Sequence, residues 1–249
     1  MVTDMSPTRA GRLGSFVLAL CASMTTALVC SRANARALVE RSAVLPAGEG
    51  LLSMGAGAWF RDDVGSVTVG HLDLRVGVTP RLEVRLLLPG VAFEALVERD
   101  GGIPSVVLFL GLCEVGFNNV VGTTLGYQFG TRITKRVFSR LRLGATVELR
   151  HRLLGVESPE LAVVGPLPAN RAFVGAGEAI VQLHEAFAVT GQLGYAAALG
   201  DGRSFGFGGV GLVATVRGRL DVYASSLLEH SRVDGKLAPA VFGGIAMRF

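Results

Sequence analysis

Two consecutive stretches of this chain alternate so regularly that only an extended backbone suits them. From Thr124 to Thr134, Leu125, Tyr127, Phe129, Thr131 and Ile133 fall on one face, and Thr124, Gly126, Gln128, Gly130, Arg132 and Thr134 on the other. After a break at Lys135 to Ser139, Leu141, Leu143, Ala145, Val147 and Leu149 alternate with Arg140, Arg142, Gly144, Thr146, Glu148 and Arg150. A period of two residues belongs to a β-strand whose faces meet different surroundings, whereas a helix would scatter these apolar side chains around its circumference. Two such runs about a short break read as an antiparallel hairpin.

The pattern recurs along the chain. Leu72, Leu74, Val76 and Val78 oppose His71, Asp73 and Arg75; a turn at Thr79-Pro80-Arg81 follows, and then Leu82, Val84, Leu86 and Leu88 against Glu83, Arg85 and Leu87. Ala179, Val181 and Leu183 lead through His184-Glu185-Ala186 to Phe187, Val189, Gly191, Leu193 and Tyr195. Val210, Leu212, Ala214 and Val216 lead through Arg217-Gly218 to Leu220, Val222 and Ala224, set against Arg219, Asp221 and Tyr223. Longer polar segments, 151–171, 200–204 and 230–236, separate these hairpins. Short turns alternating with longer loops are the anatomy of a membrane β-barrel.

Composition then decides between a barrel and a soluble sandwich. Half of the residues are hydrophobic and the mean hydropathy is +0.48. Beyond the N-terminus, charges recur too often for a spanning helix. A barrel places such apolar content on its lipid face and its charges in the lumen, with every backbone group paired between strands. A β-sandwich outside the membrane, with the apolar faces as its core, is the competing fold.

Arg9 and Arg12, an apolar run from Leu13 to Cys30, and Ala33-Asn34-Ala35 read as a signal peptide over 1–35, with 37 as the alternative end. Without Arg9, Arg12, Arg32 and Asp4 the net charge is about +2. No basic run interleaved with aromatics follows, so no nucleic-acid partner is expected. Cys113 is then the lone cysteine, which leaves no disulfide framework or metal cluster to expect, and no cofactor motif is legible.

The expected architecture is all-β: an antiparallel transmembrane barrel over 51–249, preceded by a periplasmic N-terminal segment, 36–50. The expected strands are 51–61, 66–78, 81–89, 91–98, 103–116, 121–134, 139–151, 172–184, 186–199, 205–217, 218–229 and 238–249, twelve in all. If 90–118 were one loop or plug, ten would remain. The last strand carries Val241, Gly243, Ile245, Met247 and Phe249 on one face. An alternating strand ending on an aromatic resembles the insertion signal read by the barrel assembly machinery, so Ile245, Met247 and Phe249 are expected to serve assembly into a bacterial outer membrane and its lipids.

Arg75-Val76-Gly77-Val78-Thr79-Pro80-Arg81-Leu82-Glu83-Val84, followed by Ile103-Pro104-Ser105-Val106-Val107-Leu108, resembles the outer-membrane barrels of the meta-pathway phenol-degradation transporter family. The match covers roughly 75–117. The Gly-Asp-rich strand usual between those elements is replaced here by Phe93 to Glu98. The resemblance implies a transporter of small solutes, hydrophobic ones among them.

Strand parity puts Arg75, Glu83, Arg85, Gln128, Arg132, Arg140, Arg142, Glu148, Arg150, Arg219 and Asp221 on the lumen face. Two readings are open: a salt-bridge network that fills a narrow barrel, or a charged wall that favours anions. Gly126, Gly130, Gly144, Ala188, Gly194 and Ala196 are small and should leave lumen volume, which favours passive transport of small solutes over a non-conducting structural or surface-interaction barrel carried by loops such as 151–171. Catalysis is not expected. His71 and Asp73 share a face but no serine is placed by pattern to join them, and His151, His184 and His230 lack metal-ligand spacing.

Overall fold

Twelve strands each pair antiparallel with the ones before and after them along the chain until the last returns to the first. A computed structural model of the chain describes residues 37–61, 65–87, 90–98, 103–112, 117–118, 125–154, 171–199, 204–231, 235 and 237–249. The strands are β1 (Gly50–Arg61), β2 (Gly65–Thr79), β3 (Leu82–Leu87), β4 (Gly90–Glu98), β5 (Ser105–Leu112), β6 (Phe117–Asn118), β7 (Leu125–Phe138), β8 (Leu141–Leu154), β9 (Arg171–His184), β10 (Phe187–Ala198), β11 (Ser204–Val216), β12 (Leu220–Ser231) and β13 (Leu237–Arg248). Twelve of them form the wall, closed where β1 pairs with both β2 and β13. The thirteenth, the two-residue β6, adds only to β2 at Val69 and Gly70, beyond the reach of the short β3. The expected twelve-stranded barrel is therefore the fold; the signal peptide lies outside the described residues, as do 155–170 of the long loop.

The alternation sorts faces as lipid and water would. Met54, Leu72, Leu86, Phe129, Leu143, Val147, Leu193, Val210 and Ile245 stay exposed on the outside. Asp73, Glu83, Glu94, Gln182, Thr215 and Asp221 are buried on the inside. An exposed apolar belt around buried charge inverts a soluble protein and matches a barrel in lipid. Burial comes from the lumen side, where the wall and residues 37–49 close over the polar groups.

Among the described residues, strand ends agree with the sequence to within about three residues except at one hairpin; the expected strand positions 113–116 and 121–124 lie outside the described residues. The Lys135 to Ser139 break is not the turn: β7 continues to Phe138, and Ser139-Arg140 turns the chain. The register shifts between Arg136 and Phe138, so a bulge absorbs one residue and lets strand geometry persist through the charged pair. In the β11–β12 turn both Arg217 (φ 49°) and Gly218 (φ 70°) lie in the left-handed region, the backbone that matches strand twist in a tight hairpin.

At the seam, Gly50 and Phe249 exchange backbone hydrogen bonds of 2.8 and 3.0 Å. The Phe249 ring lies against Gly50, where a Cβ would have no room. Ile245, Met247 and Phe249 are exposed on the outer face, as parity required.

Candidate functional site: a charged lumen crossed by the N-terminal segment

Inside the barrel, at the end that carries the short turns and both strand termini, residues 37–49 run across the lumen. A single 3-10 turn, Leu38–Glu40, is the only regular structure in the segment. Two apolar side chains peg it to opposite walls. Val39 packs against Ile180 and Ala188, on β9 and β10. Val44 packs against Leu96 and Val107, on β4 and β5. These wall residues point inward although apolar, which a water-filled lumen would disfavour; the segment gives them an apolar neighbour.

Polar contacts fasten the stretch between the pegs, in both directions. The Arg41 guanidinium donates to both carboxylate oxygens of Asp221, at 2.7 and 2.9 Å, and to the Thr215 hydroxyl at 2.8 Å. A bidentate fork of this kind fixes geometry as well as charge. Arg248 reaches the same carboxylate at 3.0 Å, and Thr215 donates to it at 2.7 Å. From the other wall, Arg142 donates to the Arg41 carbonyl at 3.0 Å and Arg132 to the Ala43 carbonyl at 3.3 Å. The Leu45 amide donates to Glu83 at 2.8 Å and the Val39 amide to Gln182 at 3.4 Å. Gly48 and Glu49 then pair with Gly77 of β2. A Cβ on Gly77 would strike the Leu45 and Pro46 carbonyls, so close approach to this backbone requires glycine.

A second ionic group runs along β2, β3, β4 and β7. Asp73 accepts from Arg75 at 3.1 Å and from Arg85 at 2.8 Å; Arg75 also lies 3.7 Å from Glu83. Arg85 lies 3.9 Å from Glu94, which Arg132 bridges as well. Carboxylates this buried are tolerable because each faces at least one guanidinium.

The sequence-predicted residues thus divide. Arg75, Glu83, Arg85 and Arg132 meet in one network, and Asp221 anchors the other. Arg142 holds the crossing segment. Gln128 points inward and lies over Gly111, and Glu148 shares the inward register of β8. Arg150 is on β8 in the same register. Arg140 and Arg219 are exposed turn residues, beyond the strand ends where parity assigns a face, and Arg219 lines the cavity described below. Sequence reasoning missed Arg41, Glu94, Gln182, Thr215 and Arg248. Glu94 and Arg248 were legible from parity. Arg41 was not, since 36–50 has no period; its signal is indirect, in the apolar residues at inward positions 96, 107 and 180.

The small inner residues leave less volume than expected. Phe109 covers Gly130 and Phe207 covers Gly194, each ring lying on the glycine directly opposite it. Glu178 covers Gly144 in the same way. Rings laid over facing glycines shield backbone and help pin register. Space remains elsewhere. A cavity of about 560 Å³ opens between the crossing segment and the wall. Seven arginines line it (Arg41, Arg75, Arg132, Arg142, Arg217, Arg219 and Arg248) against three glutamates, Glu49, Glu83 and Glu178. A recess of about 290 Å³ on β9–β12 adds Thr190, Gln192 and Ser225 to the polar lining.

Among the described residues, no three His, Cys, Asp or Glu converge as metal ligands would. Asp73 accepts from both Arg75 and Arg85 through Oδ2.

No protein-family model matches the chain, and no curated protein matches it by sequence. Solved structures do match in fold. The NanC porin superposes with a TM-score of 0.57 at 10% identity, over 79% of this chain and 98% of that one. An outer membrane channel from Pseudomonas putida F1 gives 0.55 at 9% identity, over 83% and 97%. The KdgM porin gives 0.53 at 11% identity, over 79% and 99%. Nearly the whole length of each is matched, so the fold this chain shares is that of a complete outer-membrane porin or channel barrel.

Proposed function

We infer that the protein is a channel of the bacterial outer membrane through which small solutes pass passively along a charged lumen. The observation that carries this reading is the cavity beside residues 37–49. The segment crosses the barrel without filling it, and the space left over is lined by ionised side chains that a dry, packed interior would exclude. Twelve strands enclose more than the eight of a barrel just filled by its side chains, and less than the sixteen of an open porin. The fold neighbours are named as porins and an outer membrane channel, which agrees with this reading. The resemblance of residues 75–117 to the aromatic-degradation transporters adds support for small organic solutes. The exposed terminal face of Ile245, Met247 and Phe249 supports insertion by the barrel assembly machinery.

Liposome swelling tests the reading. Proteoliposomes holding the folded mature chain should swell in isotonic arabinose and more slowly in larger sugars. Swelling no faster than protein-free vesicles for every solute would leave the non-conducting, structural barrel.

A further inference from the structure

We propose that residues 37–49 and the wall arginines they lean on form an anion-selective constriction, with Arg142 as the cation that meets the passing ion. The inference rests on the channel reading and names the class of solute it favours: small anions, inorganic or carboxylate.

Charge pairing and position together single out Arg142: of the seven arginines lining the cavity, Arg142, Arg217 and Arg219 lack a carboxylate within salt-bridge distance among the described residues, and of these only Arg142 stands on a strand against the crossing segment, the other two being exposed turn residues. Arg75, Arg85 and Arg132 share Asp73, Glu83 and Glu94, and Arg41 and Arg248 share Asp221, all within salt-bridge distance. Arg142 has no carboxylate within that distance among the described residues. One terminal nitrogen is tied to the Arg41 carbonyl, and its Nε is without a hydrogen-bond partner. Glu178 lies over Gly144, the next inward position on β8, and lines the same space. The cavity as a whole still carries seven arginines against three glutamates and the terminal carboxylate of Phe249. An anion moving past the segment therefore enters a net positive field, in which Arg142 is the strand guanidinium not already matched by a carboxylate.

The segment makes that field effective. Across a lumen without it, an ion could pass outside the reach of any one wall charge, screened within about 10 Å at 0.1 M salt. With residues 37–49 pegged at Val39 and Val44, the path narrows to the space beside the segment that Arg142 helps to line.

The test is the zero-current potential of the full mature chain in planar bilayers, under a potassium chloride gradient near 0.1 M and again with potassium acetate. Chloride and acetate should both be preferred to potassium. Arg142→Gln should lower that preference about threefold, the Boltzmann weight of one unit charge met across roughly 6 Å of water. Deleting residues 38–46 should raise the unit conductance and lower the preference further. A conducting channel whose preference neither variant alters would overturn the constriction while leaving the channel reading intact, as would an intact channel that prefers potassium. If the deletion variant fails to fold, Arg142→Gln alone decides. A chain that does not conduct at all refutes both readings.

Discussion

Placing one arginine along β8 reads out the membrane directly. Val147 is 43% exposed and points outward between Thr131 and Gly175, neighbours too small to cover it. It lies near the middle of β8, where Arg on the lipid face of a barrel costs about 2–4 kcal/mol. Leu143 is as exposed, but it sits four residues nearer the turn and opposite Lys135. At about 3.3 Å per residue and a tilt near 40°, four residues are roughly 10 Å of depth. Arg there reaches the interface, where the cost falls to about 0–1 kcal/mol. The folding equilibrium measured by reversible denaturant titration into phospholipid should therefore fall roughly 30- to 700-fold for Val147→Arg and at most about fivefold for Leu143→Arg. Thr146→Gln, on the inward face opposite Arg132, should change it little. Equal losses at 147 and 146 would refute the assignment of faces, and equal losses at 147 and 143 would refute the depth.

Three other outcomes follow from the contacts. Gly194→Val should destabilise the barrel by about 1–3 kcal/mol, since its branches meet the Phe207 ring, and Phe207→Ala should restore most of the loss in the double variant, read by thermal melting. Arg41→Gln should cost about 1–3 kcal/mol by the same assay, less than an isolated buried pair, because Asp221 keeps Arg248 and Thr215. Deleting Phe249 removes two backbone hydrogen bonds and the ring that covers Gly50, so the yield of heat-modifiable, membrane-inserted barrel should drop; an unchanged yield would dismiss the terminal signal.

The wall was legible because each strand carries its own evidence. Alternation along Leu141 to Leu149 needs no knowledge of neighbours, and every hairpin repeats it. Errors gathered where charge has two meanings. Lys135 and Arg136 read as a turn, yet in a barrel they are strand residues near the membrane edge, with a bulge to absorb the irregularity. Arg140 and Arg219 fall in hairpin loops, where parity has no meaning, although Arg219 still lines the cavity. The crossing segment was hidden for a different reason. Residues 37–49 have no period because the barrel around them holds them, through Asp221, Arg142, Glu83 and Gln182. The trace they leave is in their hosts, where Leu96, Val107 and Ile180 make both faces of a strand apolar. The charged inner residues were found from parity, but which of them pair and which stays unpaired is set by register across strands far apart in sequence.

The most direct test of the central claim is single-channel recording of the folded mature chain in planar bilayers. The account predicts discrete, reproducible conductance steps, smaller than those of an open sixteen-stranded porin because residues 37–49 occupy part of the lumen. Bilayers that contain the inserted, heat-modifiable barrel and show no steps would contradict it.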